Sequence, residues 1–190
     1  MTASNERHAS LGKHVRACVG SLAYILLNYL VAYIPSWHVR RLFYTVFGMR
    51  IGRGSRINMG CKVWNPKGIR IGDDSIVNEH AMLDGRGGLT IGDSTSIAMW
   101  SVLYTASHYV DSPTFEYYTR PTVIGNCCWV CARAIVLPGS ELADKTIISA
   151  GSVYKGKSTE AGIYAGIPAK LVRQRQVEEP YRHRWITHFR

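Results

Sequence analysis

The stretch "IGRGSRINMGCKVWNPKG", residues 51–68, divides into three blocks of six, each opened by an aliphatic residue: Ile51, Ile57 and Val63. Ile69 and Arg70 stand apart, and the count resumes with Ile71, Val77 and Leu83. Leu89 and Thr90 stand apart in the same way before Ile91, Ile97 and Leu103. Residues 103–125, "LYTASHYVDSPTFEYYTRPTVIG", then break the rhythm. It returns with Ile124, Val130 and Val136, and Leu142 and Ile148 carry it on. Self-similarity at six residues predicts a parallel β-helix. Three blocks make three short strands and three corners, and one aliphatic side chain per block points inward to stack on its counterpart a coil away. Small residues and glycine allow the corners. No coil buries a core alone, so several must stack.

Charge is unevenly placed along the chain. Residues 1–56 hold eight Lys/Arg against one acid, Glu6; residues 57–153 hold seven against nine; residues 154–190 hold eight against three. Basic ends around a near-neutral middle suit anionic lipid or a phosphorylated ligand. No paired Cys/His finger, heptad zipper or RNP aromatic set accompanies them, so no nucleic-acid partner is expected. The chain divides into an N-terminal helical segment at 1–50, the repeat at 51–153 with a loop at 109–123, and a C-terminal segment at 154–190.

Residues 17–34, "ACVGSLAYILLNYLVAYI", carry no charge, with Arg7, Lys13 and Arg16 before them and Pro35, Arg40 and Arg41 after. Three readings are open. The segment packs on the protein or a partner subunit, lies at a membrane surface anchored by Tyr29, Tyr33, Trp37 and the arginines, or spans. Ser21 and Asn28 weaken spanning. The expected location is the cytoplasm, at the inner face of its membrane where the segment touches lipid. Five cysteines, Cys18, Cys61, Cys127, Cys128 and Cys131, fit free thiols in a reducing compartment. Cys128-x-x-Cys131 lacks the second pair a structural zinc site needs, so no metal is expected.

The blocks "INMGCKVW", the "IG" rungs, "TASHYVD", "IGNCCWVCARAIVLPGSELADKTIISAGSV" and "AGIPAKLVR" together resemble the hexapeptide-repeat acyltransferases. The likeness is to the maltose, galactoside and nodulation-factor O-acetyltransferases, and to the acetyltransferases of polysaccharide biosynthesis. It covers about residues 51–173. It implies a left-handed parallel β-helix, a homotrimer with sites between subunits, acetyl-coenzyme A as donor, and a sugar or polysaccharide acceptor. The usual Trp-Ile-Gly-x-Gly/Ser appears here as Trp129-Val130-Cys131-Ala132-Arg133.

His108 stands where the excursion leaves the coil. Acyl transfer from a thioester to an alcohol needs a base at the hydroxyl, and histidine, with an unperturbed pKa of about 6.5, is the usual choice. The resemblance gives His108 that role. It sets Asn78 facing the acceptor and the Ala132 amide at the oxyanion. Asp84 is a weaker acceptor contact, and Asp111 is placed to orient the His108 ring or order the loop. Tyr109, Phe115, Tyr117 and Tyr118 supply stacking surface for a sugar, with Trp129 as a further substrate contact. Ala150, Gly151 and Ser152 form a small-residue corner for the pantetheine arm and, with Ala132, would meet the cofactor. Lys155, Lys157, Lys170 and Arg173 could meet its phosphates. Two other functions are weighed: a non-catalytic β-helix scaffold, and a zinc hydrolyase of carbonic anhydrase type. The latter needs three histidines, and the repeat holds only His80 and His108.

Overall fold

The computed structural model describes residues 11–176. Arg7, the side chains of Lys13 and Arg16, and the tail residues from 177 onward lie outside the described ones. The chain is a left-handed parallel β-helix, a triangular prism with three sheet faces. Face 1 stacks Ile51, Ile71, Ile91, Ile124 and Leu142 in parallel register. Face 2 stacks Ile57, Val77, Ile97, Val130 and Ile148. Face 3 stacks Val63, Leu83, Leu103, Val136 and Tyr154. All of these but Ile51 are buried. Every aliphatic residue that opened a block in the sequence is therefore an inward rung.

Ile69 and Leu89, which fell between blocks, are buried as well and extend their face-1 strands to three residues. The extra residues lengthen one corner, that between face 3 and face 1. The same corner is where the chain leaves the coil at Tyr104. Parallel pairing runs beyond residue 153. Ile163 and Tyr164 pair with Ile147 and Ile148, and Gly162–Gly166 turns back as a hairpin with Ala169–Gln174.

The corner between faces 1 and 2 is held by side chains standing in for strand partners. Asp73, Asp93, Asn126 and Asp144 each accept, through Oδ1, the backbone N–H of the equivalent residue one coil earlier, at 2.7–2.8 Å. Ser55, Ser75 and Thr95 donate their hydroxyls to Gly72, Gly92 and Gly125 carbonyls, and Cys128 takes the next place in that row with its thiol on the Ala143 carbonyl.

The N-terminal segment forms helix α1 (Leu11–Ile25), a π-helical turn at Leu26–Leu30, a 3-10 turn at Val31–Tyr33 and helix α2 (Trp37–Val46). Together these cover the first coil, whose strands have no preceding coil to pair with. Buried Asn28 donates to the Val63 carbonyl at 2.9 Å and accepts from the Val63 amide at 2.6 Å, as an adjacent strand would. Its second bond to the Tyr24 carbonyl accompanies the π turn. Buried Arg40 donates to Ile57 on face 2, Arg41 to Ile51 on face 1, and the Ala32 carbonyl accepts from Gly60. Residues 17–34 thus form no single helix, and among the described residues no helix is long and apolar enough to cross a membrane.

Candidate active site

At the 3–1 corner of the third coil the chain turns outward into a hairpin, Ala106–His108 against Tyr117–Thr119. Residues on a strand alternate between faces, so the hairpin has two sides. On one lie His108 and Tyr117, directly opposite each other, with ring centroids 5.5 Å apart. Phe115, held at a left-handed φ of 52°, stacks on the imidazole at 4.0 Å. Its carbonyl lies 2.8 Å from His108 Nδ1. A carbonyl only accepts, so Nδ1 carries the proton in neutral imidazole and Nε2 is left with the free lone pair. Asp111 was expected to orient the ring or order the loop; it lies exposed in the loop, and the Phe115 carbonyl is the ring's hydrogen-bond partner. Tyr109 was grouped with Tyr117, but it packs on Tyr118 at 4.6 Å on the other side of the hairpin, where Arg120 lies over the Tyr118 ring.

Below the hairpin, Trp64 and Asp84 occupy one register column of face 3. Asp84 is fully buried. Its two oxygens take bonds from Arg86 Nε and one guanidinium nitrogen, at 2.9 and 3.0 Å, and from the Thr105 amide at 3.0 Å. Burial by itself would push this carboxyl up; the Arg86 and Thr105 hydrogen bonds and the Arg86 charge outweigh it and hold its pKa below the ordinary value. Asp84 is therefore not an acceptor contact. It fixes the start of the hairpin at Thr105 and aims Arg86, whose guanidinium lies over Trp64 at 4.2 Å and 5.9 Å from the Tyr117 ring. Arg86 and Trp64 were missed from the sequence. The 20-residue spacing of Ile51, Ile71 and Ile91 could have found Trp64, because it stacks Trp64, Asp84 and Tyr104 in one column.

The remaining expected residues sit elsewhere on the prism. Asn78, Ala132, Ala150 and Gly151 all lie at the 2–3 corner, across face 3 from His108. Asn78 is half-buried and donates to the Ile97 carbonyl at 3.0 Å. Residues 131–134 form a β-turn closed by Ala134 N–H to the Cys131 carbonyl at 3.1 Å, with Arg133 at φ 59°. That places Ala132 at the second turn position of type II geometry. Its N–H has no hydrogen-bond partner among the described residues. His80 is also at this corner, stacked on Trp100 at 4.3 Å and so apart from His108. Trp129 lies half-exposed in the middle of face 2, between Ser96 and Ile147, not beside the hairpin.

The Escherichia coli relative WcaF, named for an acetyltransferase of colanic acid biosynthesis, is 32% identical over 137 residues, covering 72% of this chain and 75% of WcaF. The chain belongs to the hexapeptide-repeat acyltransferases. Galactoside O-acetyltransferase of E. coli is 25% identical over 89% of this acyltransferase and 69% of its own length. Among solved structures, a hexapeptide-repeat acetyltransferase of Vibrio cholerae in complex with acetyl-coenzyme A superposes with a TM-score of 0.76 at 23% identity, covering 89% of this chain and 92% of that one. No family model matches.

In this acyltransferase the expected cofactor residues are dispersed. Ala150 and Gly151 are exposed at the corner, and the Gly151 N–H donates to the Ala132 carbonyl at 3.0 Å. Ser152 is buried with its hydroxyl accepting from Gly166, so it offers a ligand nothing. Lys157 lies on face 1, paired with Glu141 at 2.9 Å. Lys155 is exposed at the 3–1 corner, and Lys170 and Arg173 lie exposed on the closing hairpin. Three of the thiols are poor nucleophiles: burial pushes Cys61 and Cys128 up to about 12 and Cys131 up to about 11. Cys128 and Cys131 stand at opposite ends of one face-2 strand, so they do not converge.

Proposed function

We propose that the chain is an acetyl-coenzyme A-dependent O-acetyltransferase whose acceptor is a sugar hydroxyl of a cell-surface polysaccharide, a glycolipid or a precursor, with His108 as general base. One observation carries the reading: the Phe115 carbonyl holds the His108 Nδ1 proton, which leaves Nε2 basic at the rim of the only excursion from an otherwise smooth prism among the described residues. The hydroxyl gives its proton to Nε2 as its oxygen bonds to the thioester carbonyl carbon. The resulting oxyanion takes a hydrogen bond from a free backbone amide, the part Ala132 suits. Collapse breaks the carbon–sulfur bond, and the imidazolium returns the proton to the departing thiolate, which leaves as free coenzyme A.

On one chain the base and the Ala132 amide are a face apart. A parallel homotrimer would set the 3–1 corner of one copy against the 2–3 corner of the next, completing a site at each interface. Such a trimer carries all three helical caps at one end. There Val19, Leu22, Ile25 and Leu30 of the helical segment, with Leu42 and Val46 of α2, are half or more exposed. The first 56 residues hold eight basic side chains against one acid. That pairing of apolar face and positive charge suits the inner surface of the cytoplasmic membrane.

Mixing the full chain with acetyl-coenzyme A and a panel of sugars, and following thiol release, tests the reaction. Release that depends on a sugar and vanishes in His108→Ala is expected; release indifferent to that substitution removes the base. Co-sedimentation with anionic vesicles, lost at high salt, tests the membrane end.

A further inference from the structure

The helical segment does more than cover the first coil. Between α1 and the 3–1 corner run two adjoining cavities of about 410 and 510 Å³ that share Gly20, Tyr24 and Trp64. Ala17 lies at one end of this trough and Leu27 near the other, a span of about 15 Å along a helix axis. Its lining is mostly apolar, with Ala23, Val63 and the face of Trp64. Asn65 and Arg86 are polar side chains at its inner end. Arg86 stacks on Trp64 and reaches towards Tyr117, which touches His108. Two coils separate Trp64 from the hairpin, about 10 Å at about 4.8 Å per coil. The second cavity opens beside the exposed apolar side of α1, where Ile25 lines it and is itself 51% exposed.

Gly20 is the telling residue. Glycine within a helix costs about 1 kcal/mol against alanine. A Cβ built on Gly20 meets nothing within 4 Å, so packing gives no reason for it. Gly20 lines both cavities, and its missing side chain leaves open space there.

We propose that the trough holds the hydrocarbon chain of a lipid-linked sugar acceptor, with the sugar held at His108 and the chain running back along α1 towards the membrane. This deepens the acceptor reading above and rests on it. The occupant follows from continuity: Arg86 lines one cavity and reaches towards Tyr117 of the hairpin that carries the base, and the other cavity opens on the exposed apolar side of α1. A second copy docked in the trough would instead close the path to His108.

The test is calorimetric titration of the full chain with butyl, octyl and dodecyl phosphate, each below its micelle concentration, together with Gly20→Ala and Gly20→Leu. Affinity should rise with chain length, by up to about fourfold for each methylene taken from water. Gly20→Leu should weaken dodecyl phosphate at least tenfold at an unchanged melting temperature, with Gly20→Ala between it and the native chain. Equal affinity for butyl and dodecyl phosphate overturns the proposal, and that comparison needs no variant. So does undiminished dodecyl binding in Gly20→Leu. If Gly20→Leu instead lowers the oligomeric state by light scattering, the trough is a contact between copies and the proposal also fails. Chain binding is read without acetyl-coenzyme A. Failure of transfer to soluble sugars would therefore count against the function alone, and failure of chain binding against the trough alone.

Discussion

The 2–3 corner and the 3–1 corner belong to the same coils and could hardly differ more. The 2–3 corner is a four-residue turn in every coil, closed in the second to fifth by the same backbone hydrogen bond, at Ala81, Ser101, Ala134 and Ser152. Such a corner offers repeated backbone groups at fixed heights, among them the free Ala132 amide. The 3–1 corner is lengthened in the first two coils and opens into a hairpin in the third. It offers side chains: an imidazole, aromatic rings and a buried carboxylate that aims an arginine. Regularity supplies dipoles in fixed places, and irregularity supplies chemistry. Acyl transfer needs both, and one prism keeps them a face apart.

Removing the base should show the largest effect. His108→Ala is expected to lower turnover by about a hundred- to ten-thousandfold with coenzyme A affinity retained, measured by calorimetry. At the opposite corner, Ala132→Pro removes one N–H while keeping the turn, because proline suits the second position of a type II turn. Pro138 already occupies that position before Gly139, whose φ is 82°, in the turn at residues 137–140. Turnover should fall about a hundredfold at an unchanged melting temperature. Co-expressing these two variants sharpens the contrast. Random mixing leaves about a quarter of the interfaces with both groups intact, so activity should return to about that fraction. If mixing restores nothing, the two corners do not serve one site.

Asp84→Asn should cost about 2 kcal/mol of stability, read by urea unfolding, because Arg86 and the Thr105 amide lose an ionised acceptor. The folded-state pKa of Asp84 lies below its unfolded value. Its contribution is therefore complete above about pH 4, the ordinary carboxylate range, and fades as pH falls through the lower folded value. The variant should lack that part of the acid sensitivity. Lys157→Ala should do least. Its pair with Glu141 is exposed, so stability should move by no more than about 0.5 kcal/mol and coenzyme A affinity not at all.

The prism was legible in the sequence because one aliphatic residue per six has only one place to go. Its rungs were found one by one from Ile51 to Ile148. Other features left weaker traces. Ile69 and Leu89 read as slips because a hexad count does not reveal which corner is longer. Asn28 read as a blemish in an apolar run, yet it pairs with Val63 across 35 positions. For the site, His108 was conspicuous at the break, but its partner is a backbone carbonyl, which every residue has and no motif announces. Asp84 read as a weaker acceptor contact because only pairing between coils shows it enclosed. The 2–3 corner residues were grouped with His108 by the resemblance, which implies sites between subunits; the sequence alone does not show that one chain holds them a face apart.

A stack of identical rungs has no intrinsic stopping point: each end presents open strands that another prism could extend. Asn28, Arg40, Arg41 and Ala32 meet those open groups at the first coil, and the antiparallel hairpin does so at the last. The arginine contacts belong to α2, so a truncation that removed it would lose more than stability. It would leave a sticky terminus, and the molecule's finite length would give way to filaments growing by end-to-end addition.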